Sequence, residues 1–289
     1  MKSIFINKDA QLRSGFKVLL ALITVILSII LFSSLYGTLL HILFKDQVPK
    51  NEWLTILEKI ILDGSFTLIP LAFWKWIDKK PFQELGLISV KKGSRSIVSG
   101  IIWGSISMTF VFIILIGCGS SYLVNSLSSP EISQSLIIGL IINMFVGFSE
   151  ELFFRGYLLT ILADRKNKLM ALIVSSLIFS LMHMGNPNIK PLALINIFLL
   201  GLLLGFLYLK SSNIWMPVGF HIAWNYVQGY IWGFQLSGGE TQGLYQTQFL
   251  HESILNGGKF GPEGGLVVTL ILILSFILAK IYFKNKNSQ

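Results

Sequence analysis

Long runs of apolar residues, separated by short polar segments, dominate the chain. About 20 consecutive, mostly apolar residues are enough for a helix to cross the hydrocarbon core of a bilayer. We therefore predict an all-α membrane protein, a bundle of about eight transmembrane helices whose site lies in the bundle interior. The predicted spans cover residues 18–44, 53–77, 97–117, 135–162, 169–184, 191–209, 214–235 and 266–283.

The second predicted span is less apolar than the others, because Glu58, Lys59 and Asp63 lie in its first half. We interpret it as a partly interfacial helix, with Glu58 and Lys59 near the membrane surface. Asp63 lies further along the helix, and its alternative position is the bundle interior.

Two connecting segments and one helix carry further signals. The basic connection from Asp78 to Ser96 contains a short amphipathic piece, Phe82–Leu87, which we expect on the membrane surface. The Gly-rich loop from Gln235 to Gly265 is predicted to be a flexible cap or a re-entrant segment. Gly201 and Gly205 form a G-x-x-x-G pattern that permits close helix packing.

Composition supports a membrane protein. Of the 289 residues, 53% are hydrophobic and 13% are charged, and the mean hydropathy is +0.69. Soluble domains average about 25% charged residues. Cys118 is the single cysteine, which excludes an intramolecular disulfide and a cysteine-based metal site. The first apolar run is too long for a signal-peptide core and lacks a small-residue cleavage site, so we expect it to remain as the first span.

The basic residues are distributed unevenly between the two predicted sides of the membrane. Eight spans place both termini on one side, and 16 of the 23 lysines and arginines lie there, against four on the other. By the positive-inside rule, both termini are predicted to be cytoplasmic, in a multi-pass protein of the plasma membrane. The same rule accounts for the net charge of +9, so we expect membrane lipid and a membrane-associated substrate as partners, and no nucleic acid.

One predicted span contains two carboxylates and a guanidinium inside an apolar run. An ionised group at the centre of a bilayer costs roughly 2.5–3.5 kcal/mol on insertion scales. Glu151 and Arg155 are four residues apart, so they can pair on one helix face. Glu150 is turned about 100° away from Glu151. We interpret Glu151 and Arg155 as a structural clamp, and Glu150 as the free functional carboxylate.

Two later spans place further polar residues within the membrane. Phe179 and His183 are one turn apart, and so are His221 and Asn225. At about 1.5 Å per residue, Glu150, His183, His221 and Asn225 lie roughly 10–21 Å from the cytoplasmic ends of their helices, so they can meet at one level. A carboxylate and an imidazole can deprotonate water, while a second imidazole and an amide can donate to an oxyanion.

These residues resemble the motifs of the CAAX prenyl endopeptidase and bacteriocin-processing family, also called CPBP or Abi proteins. The family pattern is E-E-x-x-x-R, then F-x-x-x-H, then H-x-x-x-N on three spans. The chain matches it with Glu150, Glu151 and Arg155, with Phe179 and His183, and with His221 and Asn225. The resemblance covers residues 135–235, the expected catalytic core spans of a single polytopic membrane domain over residues 1–289.

The resemblance implies an intramembrane endopeptidase. In that family the residue matching Glu150 is the catalytic carboxylate and acts on water with the residue matching His183. The residues matching His221 and Asn225 hold the substrate carbonyl or the oxyanion. We favour a site without a metal or other cofactor, because asparagine is a poor zinc ligand and no H-E-x-x-H motif is present. A zinc-dependent protease using Glu150, His183 and His221 is the alternative.

Two other functions compete with proteolysis. A catalytically silent membrane scaffold or bacteriocin self-immunity protein would act by binding, but such a protein should have lost some of the motif residues. A proton-coupled transporter would use Glu150 and the histidines as a relay, but it predicts internal repeats, and the sequence shows none.

The topology prediction can be tested by cysteine accessibility in a Cys118→Ser background. A cysteine at Ser89, in the basic connection, should resist a membrane-impermeant thiol reagent applied to intact cells, because that connection is predicted to be cytoplasmic. A cysteine at Thr241, in the Gly-rich loop, should react. Labelling at Ser89 from outside intact cells would contradict the predicted orientation.

Overall fold

The computed structural model describes residues 12–45, 47, 49, 52–163 and 167–286. Five of the basic residues that were counted for the membrane topology lie outside the described residues, namely Lys2, Lys8, Lys50, Arg165 and Lys166.

Within the described residues, eight long helices coincide with the eight predicted apolar runs. They are α1 (Ser14–Phe44), α2 (Glu52–Phe73), α3 (Val90–Gly117), α4 (Gln134–Ala163), α5 (Lys168–Met182), α6 (Pro191–Ser211), α7 (Trp215–Tyr226) and α8 (Leu266–Lys286). The prediction of an all-α membrane bundle is confirmed.

The helices differ in the two properties that a membrane span requires, length and apolar composition. Five of those described are long and apolar enough: α1, α4, α6, α8 and the segment Phe82–Gly117 that contains α3. Helix α5 is apolar but shorter. The chain is therefore a multi-pass membrane protein, in which α2 and α7 are the helices that carry more polar residues into the bundle.

Three helices contain π-helical segments, which the apolar pattern did not predict. Helix α4 is α-helical over Gln134–Glu151 and π-helical over Leu152–Leu159, and it ends with the α-helical turn Thr160–Ala163. Helix α2 continues as the π-helix Trp74–Asp78, and α7 as Val227–Ile231. Such segments are rare and occur often at functional sites. Here one of them begins directly after Glu151 and contains Arg155, and another begins two residues after Asn225.

The connections at one end of the bundle pair with each other. Strand β1 (Ser121–Leu123) pairs antiparallel with β2 (Thr247–Phe249), with Ser121 opposite Phe249. This two-stranded sheet joins the α3–α4 connection to the Gly-rich loop, two segments that the sequence places on the same side of the membrane. At the other end, the 3₁₀ turn Phe82–Leu85 occupies the predicted amphipathic piece.

Hydrogen bonds hold the Gly-rich loop against the bundle. The Asn196 amide of α6 donates to the backbone oxygens of Glu263, at 2.7 Å, and Gly265, at 2.9 Å. The Thr269 hydroxyl of α8 donates to Asn196 Oδ1 at 2.6 Å. Phe260 of the loop is fully buried in the core. The loop thus forms a cap that is tied to α6 and α8.

Glycines allow two pairs of helices to approach closely, because glycine has no Cβ. A Cβ at Gly104 of α3 would lie 2.4 Å from the backbone oxygen of Phe220 in α7, and a Cβ at Gly219 would lie 2.3 Å from that of Ile97. The G-x-x-x-G pattern also packs closely, since a Cβ at Gly205 would lie 2.4 Å from Leu172 of α5, and one at Gly201 would lie 3.0 Å from Ser176. The close packing predicted for α6 is confirmed, whereas the contact between α3 and α7 was not predicted.

A buried ion pair joins the ends of three helices. Lys17 of α1 pairs with Asp78 at the end of α2, and the Asp78 side chain is fully buried. The Tyr157 hydroxyl of α4 donates to Asp78 Oδ2 at 3.4 Å. Removing one partner of such a pair strands the other charge, which is why buried pairs couple the elements that carry them.

The close contact between α3 and α7 can be tested with one methyl group. Gly104→Ala would force a Cβ against the Phe220 carbonyl, a backbone atom that cannot move aside without shifting α7. We expect a loss of about 1–3 kcal/mol in stability, the usual cost of overpacking. The measurement is thermal unfolding of the purified protein in detergent.

Gly37→Ala is the matched control, because Gly37 lies in α1 and a Cβ there would meet no atom within 4 Å. It should leave the unfolding temperature unchanged or raise it, since alanine favours helix by about 1 kcal/mol over glycine. Equal behaviour of the two variants would contradict the close packing of α3 against α7.

Candidate active site

One cavity in the bundle brings together the four polar residues that the sequence singled out. Glu150 of α4, His183 at the end of α5, and His221 and Asn225 of α7 all line a cavity of about 440 Å³. The cap closes another side of this cavity with residues that include Leu236, Ser237, Gly239, Glu240, Thr241 and Glu263. Polar side chains from α4, α5 and α7 thus line one cavity, which agrees with the similar depths predicted for them.

The predicted ion pair on α4 is present and buried. Arg155 Nη1 donates to Glu151 Oε1 at 2.7 Å, and the side chains are 1% and 0% exposed. Arg155 also donates to the backbone oxygen of Gly201 in α6 at 3.4 Å, and its guanidinium lies 4.3 Å from the centre of the Phe179 ring. The guanidinium is therefore enclosed by a carboxylate, a carbonyl and an aromatic face.

Glu151 has a second partner, which the sequence did not predict. His221 Nδ1 lies 2.9 Å from Glu151 Oε1, the same oxygen that accepts from Arg155. Because a carboxylate facing an imidazole nitrogen at this distance accepts a hydrogen bond, His221 carries its proton on Nδ1 and directs Nε2 elsewhere. The interpretation of Glu151 as a clamp for Arg155 alone was therefore incomplete, since Glu151 also orients His221.

Glu150 takes no part in the Glu151–Arg155 pair. Its Oε2 lies 3.9 Å from His221 Nε2, beyond hydrogen-bond distance, and this buried oxygen accepts no hydrogen bond from the described residues. His221 thus stands between two adjacent glutamates, with one ring nitrogen towards each. A buried oxygen without a donor is costly unless water or a ligand supplies one, and Glu150 presents this oxygen at the cavity.

The second histidine is oriented by its own helix. His183 follows the last residue of α5, and its Nδ1 lies 2.8 Å from the backbone oxygen of Phe179. A carbonyl can only accept, so Nδ1 carries the proton and Nε2 keeps its lone pair. The Phe179 ring lies 4.7 Å from the His183 ring and 6.2 Å from the His221 ring. The Phe179 ring thus packs against both imidazole rings.

The amide of Asn225 is available to a ligand. Asn225 is 9% exposed, lines the cavity one turn after His221, and makes no side-chain hydrogen bond with the described residues. Its two amide protons are neutral donors on the same face of α7 as His221. Such donors can stabilise negative charge that develops on a carbonyl oxygen.

The zinc-dependent alternative would use Glu150, His183 and His221 as ligands. Among the described residues, no group of three His, Cys, Asp or Glu side chains is arranged to hold a metal ion. The Nδ1 atoms of His183 and His221 face the Phe179 carbonyl and the Glu151 carboxylate, so the Nε2 atom of each ring is the one left for a ligand.

A further acid lines the cavity from α2. Asp63 is 9% exposed and contributes to the same wall as Glu150. The bundle interior, the alternative position for Asp63 in the sequence analysis, is therefore where it lies, while Glu58 and Lys59 are exposed. The sequence feature that indicated this location is an aspartate within the second apolar run.

An apolar groove adjoins the cavity. It has a volume of about 420 Å³, and it shares Lys59 and Ile142 with the cavity wall. The rest of its lining is apolar and includes Ile60, Ile141, Phe145, Phe148 and Ile222. The polar cavity therefore continues into a surface that suits hydrocarbon.

The shared Glu151 oxygen predicts two separable effects. Glu151→Gln should reduce the folded yield, because it leaves the Arg155 charge buried without its partner, at a cost of about 3–5 kcal/mol. Adding Arg155→Met in the same chain should restore part of that yield by removing the stranded charge. The measurement is the monodisperse yield after detergent extraction.

The double variant should remain inactive against any peptide that the native protein cleaves, because His221 has still lost its carboxylate partner. Full recovery of activity along with yield would contradict an orienting role for Glu151. A Glu151→Gln protein that folds normally would contradict the clamp.

Comparison with known proteins identifies the region that carries this site. Residues 132–227 match the family model described as type II CAAX prenyl endopeptidase Rce1-like. The matched region contains all four cavity residues named above, and also Glu151, Arg155 and Phe179. A search among curated proteins gave no match. This match supports the resemblance of residues 132–227 to the CAAX prenyl endopeptidase and bacteriocin-processing family.

Proposed function

We propose that this protein is an intramembrane endopeptidase that hydrolyses a peptide bond of a membrane-associated peptide or protein. The match of residues 132–227 to the type II CAAX prenyl endopeptidase Rce1-like model supports protease activity in general. The observation that carries the proposal is the buried Glu150 oxygen, which has no hydrogen-bond donor among the described residues and lines the same cavity as two imidazoles and an amide. This is the set of groups that general-base hydrolysis requires.

In the proposed reaction, Glu150 takes a proton from a water molecule in the cavity. The Nε2 lone pair of His183 is free to accept a hydrogen bond from the same water, because Nδ1 already donates to Phe179. The water oxygen then attacks the substrate carbonyl carbon. The proton held by Glu150 passes to the leaving amine nitrogen as the carbon–nitrogen bond breaks.

The carbonyl oxygen gains negative charge during this attack, and two groups can stabilise it. Asn225 offers an amide donor that no described side chain occupies. His221 can donate from Nε2 when both of its nitrogens are protonated, and the Glu151 carboxylate at 2.9 Å compensates that charge. A carboxylate that orients and charges a histidine in this way follows the logic of the serine-protease triad.

The apolar groove supports a membrane-associated substrate. A segment that enters the cavity from the lipid side would keep its apolar portion in contact with Ile60, Phe145 and Phe148. Burial of apolar surface contributes about 25 cal/mol per Å², so such a groove can hold a substrate while the polar cavity acts on it. We place the protein in the plasma membrane with both termini cytoplasmic. The pairing of β1 with β2 supports one part of this topology, namely that the α3–α4 connection and the Gly-rich loop lie on the same side.

Replacement of the proposed base should abolish turnover but not folding. Glu150→Gln keeps the shape and polarity of the side chain but removes the basic lone pair. We expect cleavage of a membrane-tethered peptide library by the purified protein to fall by roughly 10² to 10⁴-fold, the usual contribution of general-base catalysis. Glu58→Gln is the matched control, because Glu58 is an exposed glutamate that does not line the cavity.

Two outcomes would redirect the proposal. If Glu150→Gln keeps native activity in cells, the protease reading fails and a binding protein, such as an immunity protein, takes its place. If a zinc chelator inhibits fully and added zinc restores cleavage, the zinc-dependent alternative replaces the unassisted water.

Loss of the neutral oxyanion donor should affect chemistry more than binding. Asn225→Ala removes an amide that makes no hydrogen bond with another described residue, so the fold should persist. We expect the turnover number to fall by about 10²- to 10³-fold with little change in KM, as for other oxyanion donors. A rise in KM at unchanged turnover would instead assign Asn225 to substrate binding.

A further inference from the structure

Asp63 is a buried carboxylate in the cavity that the proposed reaction does not use. It lies on α2, outside the region that matches the family model. The residue is 9% exposed, and its Oδ2 is buried without a hydrogen-bond partner among the described residues. An ionised group in the interior of a membrane protein is costly to keep and usually serves a ligand, an ion or a proton.

The other charged groups on the cavity wall are accounted for or lie at its rim. Glu263 accepts from Trp224 Nε1 at 3.1 Å and from the backbone and hydroxyl of Ser237 at 3.3 Å. Glu240 is exposed on the cap, and Glu150 is assigned to the water. Among the described acids of the cavity, Asp63 is thus the buried one without a partner or a role.

The cations near Asp63 do not form a salt bridge with it. Lys59, one turn earlier on α2, is exposed, and its charge acts on Asp63 without an ion pair between the two among the described residues. Arg155 is already held by Glu151. The histidines that face the cavity, His183 and His221, are oriented by Phe179 and Glu151. The wall therefore carries an excess of negative charge, because Asp63, Glu150, Glu240 and Glu263 line it and Lys59 is its one lysine or arginine among the described residues.

We propose that Asp63 is a specificity-determining residue that binds a lysine or arginine side chain of the substrate next to the scissile bond. This proposal rests on the proposed protease function. A substrate cation would supply the missing donor to Oδ2 and offset the two carboxylates at once, and charge-assisted hydrogen bonds are the stronger ones. A neutral backbone amide would supply the donor but leave the excess charge in place.

Lys59 adds a repulsive element to this selection. It lies where the polar cavity meets the apolar groove, since it lines both. A basic side chain placed at that junction would face a like charge, which disfavours it there. The substrate would therefore present its basic residue to Asp63 and its apolar portion to the groove.

The test compares membrane-tethered peptides that differ at one position. A peptide cleaved by the native protein is remade with lysine, norleucine or glutamate at each position flanking the cut. At one position, the native protein should prefer lysine over glutamate by about 10- to 100-fold in kcat/KM. Asp63→Asn should bring that ratio close to one, and Asp63→Lys should reverse it.

Two controls isolate the position of the charge. Glu58→Gln removes an exposed carboxylate from the same helix and should keep the native preference. Glu240→Gln removes an acid from the rim of the same cavity and should change the preference less than Asp63→Asn does. Asp63→Asn is isosteric and uncharged, so its folded yield should match the native protein.

Binding to the Glu150→Gln variant separates this proposal from the protease itself. That variant should bind the lysine peptide more tightly than the glutamate peptide, and adding Asp63→Asn should remove the difference. If Glu150→Gln still cleaves peptides, the proposed function fails. If cleavage depends on Glu150 but Asp63→Asn keeps the lysine preference, or lowers all peptides equally, the role of Asp63 in specificity is wrong while the protease stands.

Discussion

The candidate site depends on one buried carboxylate oxygen, Glu151 Oε1. It accepts from Arg155 on its own helix and from His221 on α7, at 2.7 and 2.9 Å. The first contact satisfies a guanidinium that could not otherwise remain charged inside the bundle. The second fixes which nitrogen of His221 faces the cavity. A single charge therefore joins the stability of α4 to the orientation of a functional group on another helix.

This arrangement explains why two adjacent glutamates can have different roles. Consecutive residues on a helix point about 100° apart, so Glu150 cannot share the environment of Glu151. Glu151 is enclosed, whereas Glu150 opens onto the cavity with an oxygen that no described residue occupies. The π-helical segment begins immediately after this pair and places Arg155 against both Glu151 and the Phe179 ring.

The close backbone contact at Gly104 and Gly219 then holds α7, which carries His221 and Asn225, near α4 and α3.

The sequence was sufficient for the helices and for the residues that meet in the cavity, because both follow from hydrophobic runs and helical spacing. It was insufficient for the contact between Glu151 and His221, since these residues are 70 positions apart and their distance depends on helix packing. The π-helical segments also escaped prediction, because apolar runs do not reveal a change in backbone hydrogen bonding. The sequence was compatible with two locations for Asp63, the membrane surface and the bundle interior. Helix packing decides between them, and Asp63 faces the interior.

The central claim is that Glu150 activates a water molecule and does not itself attack the substrate. The most direct measurement is a single turnover of a membrane-tethered peptide in ¹⁸O-enriched water, followed by mass spectrometry of the new carboxyl terminus. Direct attack by water predicts one ¹⁸O atom in every product molecule of the first turnover. Unlabelled product in that turnover would show that an enzyme oxygen was transferred through a covalent intermediate, and would contradict the account.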